Sequence, residues 1–196
     1  MYNLCIASNN IGKLEEIQSM LDCVSFNIYS QSHFNIQPIV ETGSTFAENA
    51  ILKARNAAFF SNLPTIADDS GLCIDVLEQD PGVKSSDYAG KNATTKQNIQ
   101  KIIDNIALYG NETIHANLVT VICFMKNSTD PAPLLITEKL DGELLHESRG
   151  QLRGYDSIFY LPKLGKSIGE LSISEKNQIS PRGRAIKKLQ QQLQIY

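Results

Sequence analysis

Apolar positions along the chain follow two periods: short continuous runs that suit buried strands, and spacings of three or four that suit helices. Asn3-Leu-Cys-Ile-Ala-Ser8 reads as a buried strand, broken at Asn9-Asn10-Ile11-Gly12; Leu14, Ile17, Met20 and Leu21 then recur at helical spacing. This is a β-turn-α unit. A second strand is expected near Val24 to Tyr29, followed by a polar loop through Pro38 to Gly43. Thr45-Phe-Ala-Glu48 has capping-box spacing and opens a long Ala-rich helix reaching about Phe60. Pro64 to Ala67 reads as a short strand ending at Asp68-Asp69-Ser70-Gly71, with another strand from Leu72 to Val76.

Pro81-Gly82 marks a turn, and Ser85 to Lys91 is too polar for a core. Thr94 or Thr95 caps a helix with Ile99, Ile102, Ile103 and Ile106 on one face. Leu118 to Met125 and Leu134 to Leu140 are expected strands joined by the Lys126-to-Pro131 turn, and Asp141-Gly142 reads as a tight hairpin into Glu143 to Glu147. A last helix starts at Ser180-Pro181, an N-cap followed by proline at the first helical position. Early βα units followed by a hairpin-rich segment predict an α/β fold with a mixed sheet and flanking helices.

Length and composition narrow the function. A chain of 196 residues is expected to form a single domain, 1–196. Apolar residues at 42% and charged residues at 20% exclude disordered, collagen-like and disulfide-scaffold classes. A formal charge of -3 removes the bulk electropositive surface that a nucleic acid polymer would need. Cys5, Cys23, Cys73 and Cys123 lie far apart without a C-x-x-C pair, so buried reduced thiols are expected. With neither a charged leader nor a long apolar run at the start, the expectation is a cytoplasmic protein with no membrane partner.

Four segments carry candidate chemistry. Ser8-Asn9-Asn10-Ile11-Gly12-Lys13 places backbone N–H groups and an ammonium at a helix start, where anions bind, although any βα turn favours the same residue types. It is not a P-loop, because the required glycine-lysine spacing is absent. Asp68-Asp69 near a strand end can aim two carboxylates at opposite faces, one of them toward a metal; a solvated turn is the plain alternative. Glu41 adds a carboxylate, and Lys53 adds an ammonium on a polar helix face shared with Asn49 and Asn56. Such a set suits Mg2+ on a polyphosphate, since this ion takes one or two protein carboxylates and fills its shell with water and phosphate oxygens. Arg153-Gly154-Tyr155-Asp156 and Lys176 to Arg182 can stack on a base or contact its edge, or be an ordinary turn and a solvated basic helix.

Together the segments resemble the inosine triphosphate pyrophosphatase, or Ham1, family. The resemblance rests on Ser8 to Lys13, Glu41-Thr-Gly-Ser-Thr-Phe-Ala-Glu-Asn-Ala-Ile-Leu-Lys-Ala54, Ala67-Asp-Asp-Ser-Gly-Leu72, Pro81-Gly-Val83, Tyr88-Ala-Gly90, Gly154-Tyr-Asp-Ser-Ile-Phe159 and Lys176-Asn-Gln-Ile-Ser180, in order over nearly the whole chain. It implies an elongated α/β structure with two lobes around a central nucleotide cleft, usually a homodimer. The implied activity is Mg2+-dependent hydrolysis of non-standard purine triphosphates (dITP/ITP, XTP) to monophosphate and pyrophosphate. By position, Ser8 to Lys13 and Lys53 hold the triphosphate, Glu41 and Asp69 serve the metal with Asp68 close by, Ser70 contacts substrate, and Asp69 is the proton acceptor.

Two positions depart from the family pattern. An aromatic residue usually precedes Gly-Tyr-Asp, and Arg153 stands there; the last helix usually starts Ser-His-Arg, and this chain has Ser180-Pro181-Arg182. Proline offers neither a side-chain donor nor an N–H. The expectation is an intact phosphate and metal apparatus beside an altered base pocket, with Arg153 stacking and Arg182 the remaining edge contact. The alternatives are a same-fold pyrophosphatase with altered base preference, acting on pyrimidine or modified triphosphates, and a nucleotide-binding regulatory protein without turnover.

Overall fold

The computed structural model describes residues 2–21, 26–110 and 112–193. Seven strands and five α-helices follow in the order β1 (Tyr2–Ile6), α1 (Ile11–Leu21), β2 (Phe26–Ser30), α2 (Phe46–Ser61), β3 (Thr65–Ile74), α3 (Thr95–Ile106), β4 (His115–Met125), β5 (Leu134–Leu144), β6 (Phe159–Leu161), β7 (Lys166–Ser167), α4 (Ile173–Ile179) and α5 (Pro181–Leu193). The expected strand from Val24 is observed from Phe26; Val24 itself, like Cys23, lies outside the described residues. One mixed sheet runs β2-β1-β3-β4-β5-β6-β7. In it β1 is parallel to both β2 and β3, whereas β6 is antiparallel to β5 and to β7. No helix among the described residues is long and apolar enough to cross a membrane.

The chain divides into two compact units: one comprises the residues up to Asp69, Thr120–Glu138 and the segment from Ser180, the other Ser70–Val119 and Lys139–Ile179. In the first unit, strand alternation separates two apolar clusters. Leu4, Ile6 and Ile66 pack with Ile17 and Leu21 of α1 and Ala185, Ile186 and Leu189 of α5. Cys5, Ala7 and Ala67 pack with Ala50, Ala54, Ala57 and Ala58 of α2. The second unit is built on Ile99, Ile102 and Ile106 of α3 against Leu72, Ile74, Ile114 and Phe159. Cys5, Cys73 and Cys123 are free and buried, as their spacing implied.

Thr45 and Thr94 cap α2 and α3 with full capping boxes, each bonding the backbone three residues on and receiving the reciprocal bond from Glu48 and Gln97. Three expectations are corrected. The two short strands around Asp68-Asp69 are one ten-residue strand, β3, so neither aspartate stands at a strand end or in a turn. The Asp141-Gly142 hairpin does not form; β5 runs through it, and a Cβ on Gly142 would lie 2.5 Å from the Phe159 ring and 2.6 Å from the Tyr160 carbonyl oxygen. That glycine serves a close approach to β6. Lys176 to Arg182 spans two helices, the short α4, whose start is capped by Ser172 and Glu175, and the first turn of α5, where one last helix from Ser180 was expected.

Candidate active site

The continuity of β3 sets the chemistry, because adjacent strand residues point to opposite faces. Asp68 shares its parity with Ile66, whose neighbours are α1 and α5, and Asp69 shares its parity with Ala67, whose neighbours are on α2. The two carboxylates therefore meet different cations. Lys53, on α2, places Nζ 2.7 Å from Asp69 Oδ1 and 3.2 Å from Glu41 Oε2. Lys13, on the first turn of α1, places Nζ 2.9 Å from Asp68 Oδ2. Arg182, on the first turn of α5, donates to the same oxygen from Nη2 at 3.1 Å and Nε at 3.3 Å, and its Nη1 donates to Glu16.

The Glu41 loop is fixed from α2. Asn49 is fully buried rather than lying on a polar face, and its Oδ1 accepts the Gly43 N–H at 2.8 Å. A Cβ on Gly43 would come within 2.6 Å of both that oxygen and Glu48 Cβ, so only glycine lets the loop approach the helix this closely. Asn56, expected on the same polar face, donates to the Gln37 carbonyl at 3.3 Å and ties down the earlier part of the loop.

At the β1–α1 turn, Ser8 Oγ accepts the Asn10 N–H at 3.1 Å and Asn10 Oδ1 accepts the Lys13 N–H at 3.2 Å. Asn10 thus caps α1. Asn9, Asn10, Ile11 and Gly12 are exposed, and Ser70, next to Asp69 on β3, is half-buried.

Charge and burial act differently on the two aspartates. Burial pushes the Asp69 carboxyl up to about 6 from an ordinary 3.8, with Glu41 adding to the rise against the opposing ammonium of Lys53. Burial also opposes ionisation of Asp68, yet Lys13, Arg182 and Lys53 outweigh it and hold this carboxyl well below the usual range. Burial works against the Lys53 ammonium, but Asp69, Asp68 and Glu41 keep its pKa above the ordinary value. Asp69 Oδ2 is buried and has no hydrogen-bond partner among the described residues. A buried carboxylate oxygen left this way is costly unless a cation or a donor arrives to meet it.

A Ham1 family model matches residues 4–192. The chain belongs to the Ham1 family. It is 45% identical over 190 residues to a dITP/XTP pyrophosphatase of Coxiella burnetii, covering 96% of this chain and 95% of the relative. It is 42% identical over 194 residues to the protein of that name from Nitrosomonas europaea, covering 98% and 95%. Among solved structures, a HAM1 protein from Coxiella burnetii superposes with a TM-score of 0.93 at 44% identity, covering both chains completely. The Staphylococcus aureus Ham1 protein gives 0.85 at 37% identity over 98% of each chain.

Within this Ham1 chain Asp69, paired with Glu41 through Lys53, and Asp68 lie on opposite faces of β3. Among the described residues no group of three or more His, Cys, Asp or Glu side chains is arranged to hold a metal ion. Glu41 and Asp69 share Lys53, whereas Asp68 is engaged by Lys13 and Arg182 on the other face. Arg182 likewise does not present an open guanidinium to a base edge, since all three of its nitrogens bind Asp68 or Glu16. Sequence reading missed Glu16 altogether. Its signal was an acidic residue three positions after Lys13, on the same helical face.

The remaining expected residues, apart from Pro181 in the first unit, belong to the second unit. Lys176 Nζ lies 2.7 Å from Asp156 Oδ2, and both side chains are largely buried. Tyr155 donates its hydroxyl hydrogen to the Ser85 carbonyl at 2.6 Å, and burial raises its phenol pKa. Arg153 and Gly154 are exposed. Pro181 is buried as the first residue of α5, with Ser180 Oγ accepting the Gly183 N–H at 3.1 Å. Asn177 Oδ1, beside Lys176, is a buried acceptor without a partner among the described residues.

Proposed function

We propose that this chain hydrolyses non-standard purine nucleoside triphosphates, dITP/ITP and XTP, between the α- and β-phosphates, releasing monophosphate and pyrophosphate. The observation that carries the reading is the Glu41–Lys53–Asp69 cluster, in which a carboxylate raised to about 6 keeps one oxygen buried and unmatched beside an ammonium. The names of the relatives agree with it.

A divalent cation fits this pair, because Asp69 Oδ2 needs a positive partner and two carboxylates are the complement that Mg2+ takes when phosphates and waters complete its shell. Glu41 and Asp69 are the residues that would hold it. Bound there with a triphosphate, Mg2+ supplies charge neutralisation and acidifies a nearby water.

The chain's own groups do the rest. Asp69 is assigned to accept a proton from the attacking water. Lys53 orients Asp69 through Oδ1 and places positive charge where the leaving pyrophosphate develops negative charge. Lys13, Ser8 and the exposed Asn9-to-Gly12 turn at the start of α1 receive the phosphates. Ser70, adjacent to Asp69, contacts substrate, and Gly154, Tyr155, Asp156 and Lys176 are assigned to the nucleoside. The partner is thus a small nucleotide, and the protein is read as a cytoplasmic homodimer, which light scattering in solution tests.

A second reading is favoured by one observation: the base-edge groups of the family pattern are missing or occupied. Proline stands at 181, Arg182 is bound to Asp68 and Glu16, and the exposed Arg153 replaces an aromatic ring. A site that loses hydrogen-bond partners discriminates less, by about 1–3 kcal/mol per group. Hydrolysis rates for ITP, dITP, XTP and the four standard triphosphates, with pyrophosphate detection, separate the readings. Preference for ITP and XTP supports the first; a flat or pyrimidine-directed profile supports the second, and no turnover supports a nucleotide-binding protein.

A further inference from the structure

Three side chains on one face of α2, Asn49, Lys53 and Asn56, stand at i, i+4 and i+7 and meet the preceding loop in reverse order. Asn56 donates to the Gln37 carbonyl at 3.3 Å, Lys53 donates to Glu41 Oε2 at 3.2 Å, and Asn49 Oδ1 accepts the Gly43 N–H at 2.8 Å. The loop thus runs antiparallel along the helix, with Glu41 on the middle rung.

The rungs differ in strength. Residues 37–42 are exposed, so apolar packing does little to hold this stretch, the Gln37 contact is long, and the Lys53 ammonium is shared with Asp69. Asn49, by contrast, is 1% exposed, and its bond to Gly43 continues into the next two N–H groups, those of Ser44 and Thr45, which Glu48 Oε2 accepts at 2.8 and 2.9 Å. Two adjacent residues of α2 therefore capture three successive backbone N–H groups. Glu48 completes the capping box, whereas Asn49 extends the hold by one peptide toward Glu41, two residues away.

We infer that Asn49 is a positioning residue: it pins the loop at Gly43 so that the Glu41 carboxylate stays beside Asp69, ready for a divalent cation, independently of the Lys53 ion pair. This rests on the reading that Glu41 and Asp69 hold the cation. A buried side chain that aims a ligating carboxylate governs affinity for the ion, and it leaves the reaction unaltered once the ion is bound.

The test titrates Mg2+ into the full chain without nucleotide by calorimetry and measures, beside it, the Mg2+ concentration giving half-maximal dITP hydrolysis. In Asn49→Leu, which keeps the bulk and loses the acceptor, both constants should rise by about tenfold or more, with kcat at saturating Mg2+ within about threefold of the unaltered protein. Thr45→Val removes the cap hydroxyl of the same helix; it should lower the thermal midpoint and leave both Mg2+ constants within about threefold. Unmoved constants in Asn49→Leu, or an equal rise in Thr45→Val, overturn the inference, because a merely structural role costs stability at either position without singling out the ion. If Asn49→Leu does not fold, Asn49→Asp keeps the acceptor: constants at or below the starting values support the inference, and a rise overturns it. Glu41→Gln separates the underlying reading. If it leaves the calorimetric constant unmoved, Glu41 does not hold the ion and both ideas fail; if it raises that constant while Asn49→Leu does not, the inference alone fails.

Discussion

Lys53 Nζ bridges Asp69 and Glu41, 2.7 Å from Oδ1 of the first and 3.2 Å from Oε2 of the second. The ammonium offsets part of the repulsion between two carboxylates at close range, and it still leaves Asp69 with a raised pKa and an unmatched oxygen. Both carboxylates are thereby poised for a further positive partner.

The raised pKa of Asp69 has a consequence for metal-free stability. Folding favours the protonated form, so this group's favourable contribution is complete below pH about 4 and is lost as pH rises through about 6. Thermal midpoints measured in chelator between pH 4.5 and 7.5 should therefore fall with pH more steeply in the natural protein than in Asp69→Asn. Equal slopes would show that Asp69 does not titrate in that window.

Asp68 has the opposite sign. Its pKa is lowered by Lys13 and Arg182 against the cost of burial, so it stabilises above its ordinary value of 3.8 and that stability is lost as pH falls below it. Asp68→Asn leaves the buried Arg182 with Glu16 alone and takes the counter-ion from the partly exposed Lys13, and should cost about 3–5 kcal/mol in urea unfolding at pH 7. A loss below about 1 kcal/mol, the scale of exposed pairs, would show that the cluster is solvated.

Removing Lys53 should both slow the reaction and move its pH dependence. Lys53→Met deletes the ammonium that opposes the rise in the Asp69 pKa, so the acid limb of the kcat profile should shift to higher pH, with kcat down by about 10²–10³. An unshifted limb would detach Lys53 from the group that titrates.

Much of this was legible in the residues, and the failures share a cause. Thr45 and Thr94 were readable as caps because their partners lie three residues away. Asp68-Asp69 read as the end of a short strand because local propensity disfavours carboxylates inside one, whereas three cations, on α1, α2 and α5, hold them there. Arg182 was given a base to read because its true partners stand 114 and 166 positions away in the chain. Gly142 read as a hairpin for the same reason, since the ring it accommodates, Phe159, is on another strand.

The Glu41 loop offers a geometric test. Gly43→Ala places a Cβ 2.6 Å from Asn49 Oδ1 and Glu48 Cβ, so the loop must shift. Stability should fall by about 1–3 kcal/mol, and the Mg2+ concentration giving half-maximal rate should rise. Loss of stability with an unchanged metal requirement would show that Glu41 does not serve the ion.

Product analysis with dITP and XTP in Mg2+ tests the proposed hydrolysis itself. Pyrophosphate and the nucleoside monophosphate should form in equal amounts, with rates well above those for dATP and dGTP and turnover abolished in Asp69→Asn. Release of orthophosphate, or full activity in Asp69→Asn, would contradict it.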